Sequence, residues 1–417
     1  MLKHRGAYSS GSIDSTERGF GLVEIMVGLV VGMIAMLVMV QMLTSSEVQK
    51  RTTLGVDDAQ SNAAIALDQL QREVRRSGFG INQLRLLGCR LHLETAGGVD
   101  LPLGMVTINP EAAVIPAGDA NSDTLLVMYS NSSGATQGQD VYRLADREGD
   151  TNNVTRLLAG NSDPDNPVQE TYYTWADQSF NVGDWFIPDP RETVDPRVAC
   201  PAVMQMRRVL GKPADTVAAS PPGTINSGLL FNLGPSAAGG VASLRVQAFA
   251  VRNGKLAMCD YIANNCGTPC VAADGSCSPA WVPIANNIVA MRLLYGRDTA
   301  VGDLDGMVDT YDAWTPPAAG TTGCDLARII SLRVALVAQS AESSTDVVTA
   351  AAPVWAGSGV APINLAAVRV RDGQSWQNYR YKLFETVIPL RNSPAWMLVR
   401  LREQGVADSR EPTGCAS

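Results

Sequence analysis

The pattern of apolar and polar positions divides the chain into three zones. Residues 1–19 are mixed and mostly polar. From Phe20 to Leu43 nearly every position is apolar, and Glu24 is the only charge. A run of about 20 apolar residues is long enough to cross a bilayer as a helix, so residues 20–43 read as the transmembrane half of a helix. The pattern then becomes amphipathic instead of stopping. Ala59, Ala63, Ala66, Leu67, Leu70 and Val74 recur at spacings of three and four, while Asp57, Asp58, Gln60, Asp68, Gln71, Arg72 and Arg75 occupy the other faces. That is one apolar helical stripe, so residues 44–78 read as the amphipathic continuation of the same helix. Gly78 and Gly80 supply a stop signal just after Ser77. Gly55 is the weakest helix former inside the element.

Beyond Gly80 the periodicity changes. Thr124–Ser130, Leu244–Val251, Ile288–Tyr295, Ile329–Ala338 and Tyr381–Ile388 are apolar or alternating and rich in β-branched and aromatic residues, which predicts strands. Stretches rich in Gly, Pro, Asn, Asp and Ser separate them, notably 131–140, 149–167, 211–240 and 313–323, and read as loops. Val347–Ala356 is too short for a second membrane span and contains Pro353. The expected fold class is α+β: one long N-terminal helix packed on a large β-rich, loop-rich head, residues 79–417. Residues 90–240 show no motif, and the chain has no internal repeat.

Glu24 is the chemical anomaly of the apolar run. A carboxylate inside a membrane span costs roughly 2.5–3.5 kcal/mol even on the lenient insertion scale, so it calls for a partner. The segment Arg18-Gly19-Phe20-Gly21-Leu22-Val23-Glu24 resembles the processing site of type IV prepilins and pseudopilins. The resemblance implies that a prepilin peptidase cuts after Gly19, that the new N-terminal residue Phe20 is methylated, and that Glu24 becomes the fifth mature residue. Gly21 departs from the Thr or Ser usual at the second mature position. A freed amine on Phe20 of one subunit pairing with Glu24 of its neighbour would offset part of the burial cost. A secretory signal peptide places its small-residue site after a core of about 7–15 residues; here the core is longer and Gly19 precedes it. An uncleaved anchor leaves Glu24 without a use. Gly28 and Gly32 form a small-xxx-small pair that permits close helix approach, although glycine is common in membrane helices generally.

Later segments narrow the resemblance. Asn286-Asn287-Ile288-Val289-Ala290-Met291-Arg292-Leu293-Leu294-Tyr295-Gly296, the turn Asp303-Leu304-Asp305-Gly306-Met307-Val308-Asp309, the alternating strand from Arg328 and the closing strand Tyr379–Asn392 together resemble PilW-type minor pilins. The resemblance covers the N-terminal helix and roughly the last third of the chain. It implies a low-copy structural subunit that helps initiate type IV pilus assembly and sits in the tip complex. Its partners would be the prepilin peptidase, other minor pilins, the major pilin, a tip adhesin and the inner membrane. A head of this size on one helix is too bulky to repeat at close axial spacing, which also favours a filament end. A large minor pseudopilin at the tip of a type II secretion filament is the alternative; a membrane-tethered enzyme or binding module is the third reading.

Composition and charge restrict the rest. The formal net charge is −8, and an acidic body argues against nucleic acid as a partner. Lys3, Arg5 and Arg18 precede the apolar run. This favours a cytoplasmic leader and a periplasmic head before assembly, and a surface or pilus-tip location after it. All eight cysteines follow the apolar run, as suits an oxidising compartment and disulfides. Cys259, Cys266, Cys270 and Cys277 are symmetrically spaced. The symmetry predicts nested bridges, Cys259–Cys277 outside and Cys266–Cys270 inside; a four-cysteine zinc site fits the spacing poorly. Asp303, Asp305 and Asp309 around Gly306 have an oxygen-rich spacing that could hold calcium, with Asp298 or Asp312 supplying a missing ligand; the competing reading is a solvated turn. Catalysis has little to work with: His4 and His92 are the only histidines, and no nucleophile elbow, phosphate loop or metalloprotease helix occurs. His92 reads as a strand or surface residue, and the seven tryptophans as core or interface anchors.

Overall fold

The computed structural model describes residues 21–84, 86–93, 98–130, 139–142, 154–157, 180–188, 197–200, 203–211, 216–220, 228–235, 244–267, 280–299, 304–313, 321–355, 357, 363, 375–396, 399 and 415. Packing divides the chain into two units, Met1–Leu54 and Gly55–Ser417. Helix α1 runs Leu22–Arg76 and contributes to both. In the first unit its apolar side chains from Leu22 to Leu43 are all exposed. Leu22–Glu47 is long and apolar enough to cross a membrane.

In the second unit α1 is amphipathic as the spacing predicts. Ala59, Ala63, Ala66, Leu70 and Val74 are buried and Leu67 is partly buried. The helix ends at Arg76, one residue before the expected stop, and Gly78 follows at φ +80°. A side chain there would also collide with Met105, whose Cγ would lie 2.7 Å from an added Cβ.

The head is built on strands β1 (Arg90–Leu93), β2 (Val99–Pro102), β3 (Val106–Ile108), β4 (Leu125–Tyr129), β5 (Gln139–Tyr142), β6 (Val154–Leu157), β7 (Asp184–Pro188), β8 (Val203–Gln205) and β9 (Arg207–Gly211). It continues through β10 (Thr216–Ser220), β11 (Gly228–Pro235), β12 (Arg245–Arg252), β13 (Lys255–Asp260), β14 (Val282–Asn286), β15 (Ile288–Arg297), β16 (Thr310–Asp312), the short helix α2 (Gly323–Ala327), β17 (Ile329–Gln339) and β18 (Tyr381–Pro389). Four sheets result: β2-β1-β8, β14-β13-β12-β4-β3, β16-β15-β17-β18, and a closed barrel β10-β6-β5-β11-β7-β9. All five strands expected from the sequence form, with ends shifted by at most two residues.

The sheet centred on β12 and β4 explains why its strands read as continuous apolar runs. Successive side chains point to opposite faces, and both faces are covered. Leu125, Val127, Tyr129, Phe249 and Val251 join the core that buries the α1 stripe. Leu126, Met128, Val246, Ala248 and Ala250 join a second core with Leu91, Leu93, Met204, Ile187, Phe231 and Leu233. β15 and β17 pair in antiparallel from Ile288↔Ala338 to Arg297↔Ile329. Their inner residues Met291, Leu293, Leu332, Val334 and Leu336 also face the α1 stripe, while Val289, Leu294 and Val337 lie under Trp355.

The barrel corrects the reading of 131–140, 149–167 and 211–240 as loops, because β5, β6, β10 and β11 lie there. These strands are short and interrupted by turn residues, so no run is long enough to stand out. Closure satisfies their edges with one another, which an isolated run cannot show. The barrel is an insertion. β4 and β12 are adjacent antiparallel strands paired from Arg245↔Tyr129 to Phe249↔Leu125, and β5 to β11 fall between them in sequence.

A buried polar contact helps fasten the helix to this framework, beside the more exposed bonds from Gln71 to Thr386 and from Lys382 to Gln60. Glu73 is buried at 6% exposure, and Tyr129 Oη donates to its Oε2 at 2.6 Å. Arg76 Nη1 stands 4.0 Å from Glu73 Oε1. Burial first, and the hydrogen bond to Glu73 second, push the Tyr129 phenol up to about 12 from 10.0. The neutral phenol is therefore favoured by folding. Its contribution is full below pH 10 and is lost as pH rises toward 12.

Two outcomes are expected from this packing. Leu70→Ala should cost about 2–5 kcal/mol in urea unfolding of the detergent-solubilised chain, the range for a buried leucine truncation. Tyr129→Phe should flatten the loss of stability between pH 10 and 12, read from melting temperatures across an alkaline series.

Candidate assembly site

The N-terminal segment is the candidate site. Gly19 and Phe20 lie outside the described residues. Glu24 is exposed in the first turn of α1, where its backbone N–H donates to Gly21 O at 2.9 Å. A carboxylate at that end complements the positive end of the helix dipole. Glu24, Gly28 and Gly32 recur at intervals of four, so they share one helix face. A Cβ added at Gly28 or Gly32 would meet no atom within 4 Å. The carboxylate therefore heads a strip where a second backbone can approach closely, flanked by bare apolar side chains. That arrangement has the geometry to bury a charge–amine pair between chains.

The acidic turn is organised differently from the cation loop considered above. Asp298 is fully buried, and its Oδ2 accepts from Asp305 N at 2.9 Å and Gly306 N at 2.8 Å. Asp305 Oδ1 accepts from Met307 N at 2.7 Å, and Asp309 Oδ2 accepts from Thr299 N at 2.6 Å. Asp312 pairs with Arg297. These carboxylates shape the turn by holding backbone N–H groups. Asp303 lies outside the described residues. Among the described residues no group of three or more His, Cys, Asp or Glu side chains is placed to hold a metal ion. His92 sits on β1, its Nδ1 2.7 Å from Asp100 Oδ1.

The nested cysteine scheme is overturned. Cys259 is bonded to Cys266, which removes a partner from each proposed bridge; Cys270 and Cys277 lie outside the described residues. The symmetry of the spacing misled because Cys259 is the penultimate residue of β13, immediately before a turn. Asp260 O accepts from Ala263 N and Asn264 N there and folds Cys266 back on Cys259. Cys89–Cys200 and Cys324–Cys415 are the other described bridges.

The helix lock through Glu73 and Tyr129 was missed by sequence reasoning. Its one signal was a glutamate falling beside Val74 on the buried side of the amphipathic stripe. Asp298 was noticed only as a spare cation ligand. Asp298→Ala should cost about 1–3 kcal/mol, because it leaves two N–H groups of a buried turn without acceptors; thermal unfolding of the solubilised chain reads this directly. Asp305→Ala, whose carboxylate is exposed, should cost less than half as much.

Comparison with known proteins supports the same picture. Residues 14–40 match the model of the prokaryotic N-terminal methylation motif, and residues 267–392 match that of the type IV pilus-assembly protein W family. The second match contains β15 to β18 and all the later segments that carried the resemblance. No curated protein sequence matches the chain. A type IV-like pilin from Thermus thermophilus aligns over 80% of this chain and 97% of its own at 10% identity, with a TM-score of 0.28; similarity at that level carries no weight. Two regions of the chain are thus similar to known families: the prokaryotic N-terminal methylation motif at residues 14–40 and the type IV pilus-assembly protein W family at residues 267–392.

Proposed function

We propose that the chain is a minor pilin that helps initiate type IV pilus assembly and occupies the pilus-tip complex. The observation that carries this reading is the strip formed by Glu24, Gly28 and Gly32 on a fully exposed apolar helix. Prepilin peptidase frees and methylates the Phe20 amine. Glu24 then receives the amine of an adjacent pilin in an apolar interior, where the pair is worth more than in water. Other minor pilins and the major pilin provide that neighbour, and the subunit sits beneath a tip adhesin. Before assembly the helix anchors the chain in the inner membrane with the head in the periplasm.

The head supports the tip position. The α1 stripe packs on one face of the β12–β4 sheet, and barrel residues Ile187, Phe231 and Leu233 pack on the other. The inserted barrel therefore thickens the head on the side away from the helix stripe. Such bulk obstructs stacking of identical subunits and meets no obstruction at a filament end. The PilW-type match favours the pilus over a type II secretion filament.

Immunogold labelling of an epitope-tagged chain should mark filament ends only; label distributed along the filament contradicts the reading. Glu24→Ala should leave processing and head folding intact, yet reduce co-purification of other minor pilins at least several-fold. Normal recovery of those partners would exclude the proposed pairing.

A further inference from the structure

The three described disulfides share a property that the spacing of the cysteines does not require. Each joins a cysteine to the next one along the chain. No cysteine lies between Cys89 and Cys200, between Cys259 and Cys266, or between Cys324 and Cys415. Two of these bridges span long separations, 111 and 91 residues.

Loop-closure statistics do not favour those long pairs in a fully emerged, unfolded chain. Cys259 is roughly half as far along the chain from Cys200 as Cys89 is, and Cys277 is roughly half as far from Cys324 as Cys415 is. Because closure probability falls as about the three-halves power of loop length, the wrong neighbour in each case is favoured roughly two- to threefold. The native pairs win without competition if each forms before the next cysteine appears. A head anchored by an N-terminal helix emerges from its helix-proximal end first. At about 5–20 residues per second, several seconds separate Cys200 from Cys259 and Cys277 from Cys324. Disulfide formation begins on the scale of seconds when an oxidant is present. Cys415 follows the other seven cysteines, so its bridge to Cys324 closes after theirs. Arg328, whose Nη2 donates to Cys415 O at 3.0 Å, then holds the tail in place.

We propose that the chain acquires its disulfides by sequential oxidation as the head is exported, so that its maturation partner is a dithiol oxidase of that compartment and not a disulfide isomerase. Each bridge releases two electrons and two protons from two thiols. The acceptor is the oxidase's own disulfide, which passes through a mixed disulfide and leaves as a dithiol. The inference rests on the export of the head proposed above.

The test is expression of the full chain in three periplasm-bearing strains: wild type, one lacking the periplasmic disulfide isomerase, and one lacking the dithiol oxidase. Thiols are trapped by alkylation before non-reducing peptide mapping. Native Cys89–Cys200, Cys259–Cys266 and Cys324–Cys415 bridges should form to the same extent without the isomerase and should fall several-fold without the oxidase. The same maps read Cys270 and Cys277, which sequential oxidation joins to each other. Crossed pairs such as Cys200–Cys259 in the isomerase-deficient strain, cured by restoring the isomerase, would overturn the proposal. Complete alkylation of all eight cysteines in wild type would instead show that the head is not exported, and both readings would fall together.

Discussion

An apolar surface without cover governs this molecule. From Leu22 to Leu43 the helix presents bare aliphatic side chains and Met, and nothing among the described residues buries them. Leaving one large aliphatic side chain in water instead of an apolar phase costs about 1.5–3 kcal/mol, so the whole face must be taken up by lipid or by other helices. Glu24 makes those two environments unequal. In lipid its carboxylate has no partner, whereas among helices it can meet an amine. Under the proposed function, the residue that weakens the helix as a membrane anchor serves it as an assembly element.

The other end of the same helix obeys the opposite rule. Ala59, Ala63, Ala66, Leu70 and Val74 are covered by two sheets, and small alanines allow the backbone to lie close to β-strands. Glu73 and Tyr129 place one polar contact in that apolar seam, and it fixes rotation and register where a purely aliphatic stripe would tolerate sliding. The helix is divided by chemistry: the apolar side chains of one half are exposed, and the apolar stripe of the other is buried by its own head.

Long features were legible in the sequence. The α1 stripe could be read because its buried positions recur at spacings of three and four, and β15, β17 and β18 because each is a long run rich in apolar, β-branched or aromatic residues. The N-terminal assembly motif was legible because a lone carboxylate in an apolar run has few physical uses. The barrel was not. β5 and β6 have four residues each, and their stability comes from partners distant in sequence. The cysteine pairing failed for a related reason: symmetric spacing describes the chain in one dimension, while the turn after β13 decides which sulfurs meet. Likewise Asp298 reads as one more acid, and only the folded turn reveals that it accepts two N–H groups.

The most direct measurement is the mass of the N-terminal peptide of the chain extracted from membranes. A type IV pilin-like protein with an intersubunit role for Glu24 predicts a mature terminus at Phe20, carrying one methyl group on its amine, with Glu24 fifth. Recovery of the intact leader through Gly19, or of a terminus generated beyond Leu43, would contradict the account.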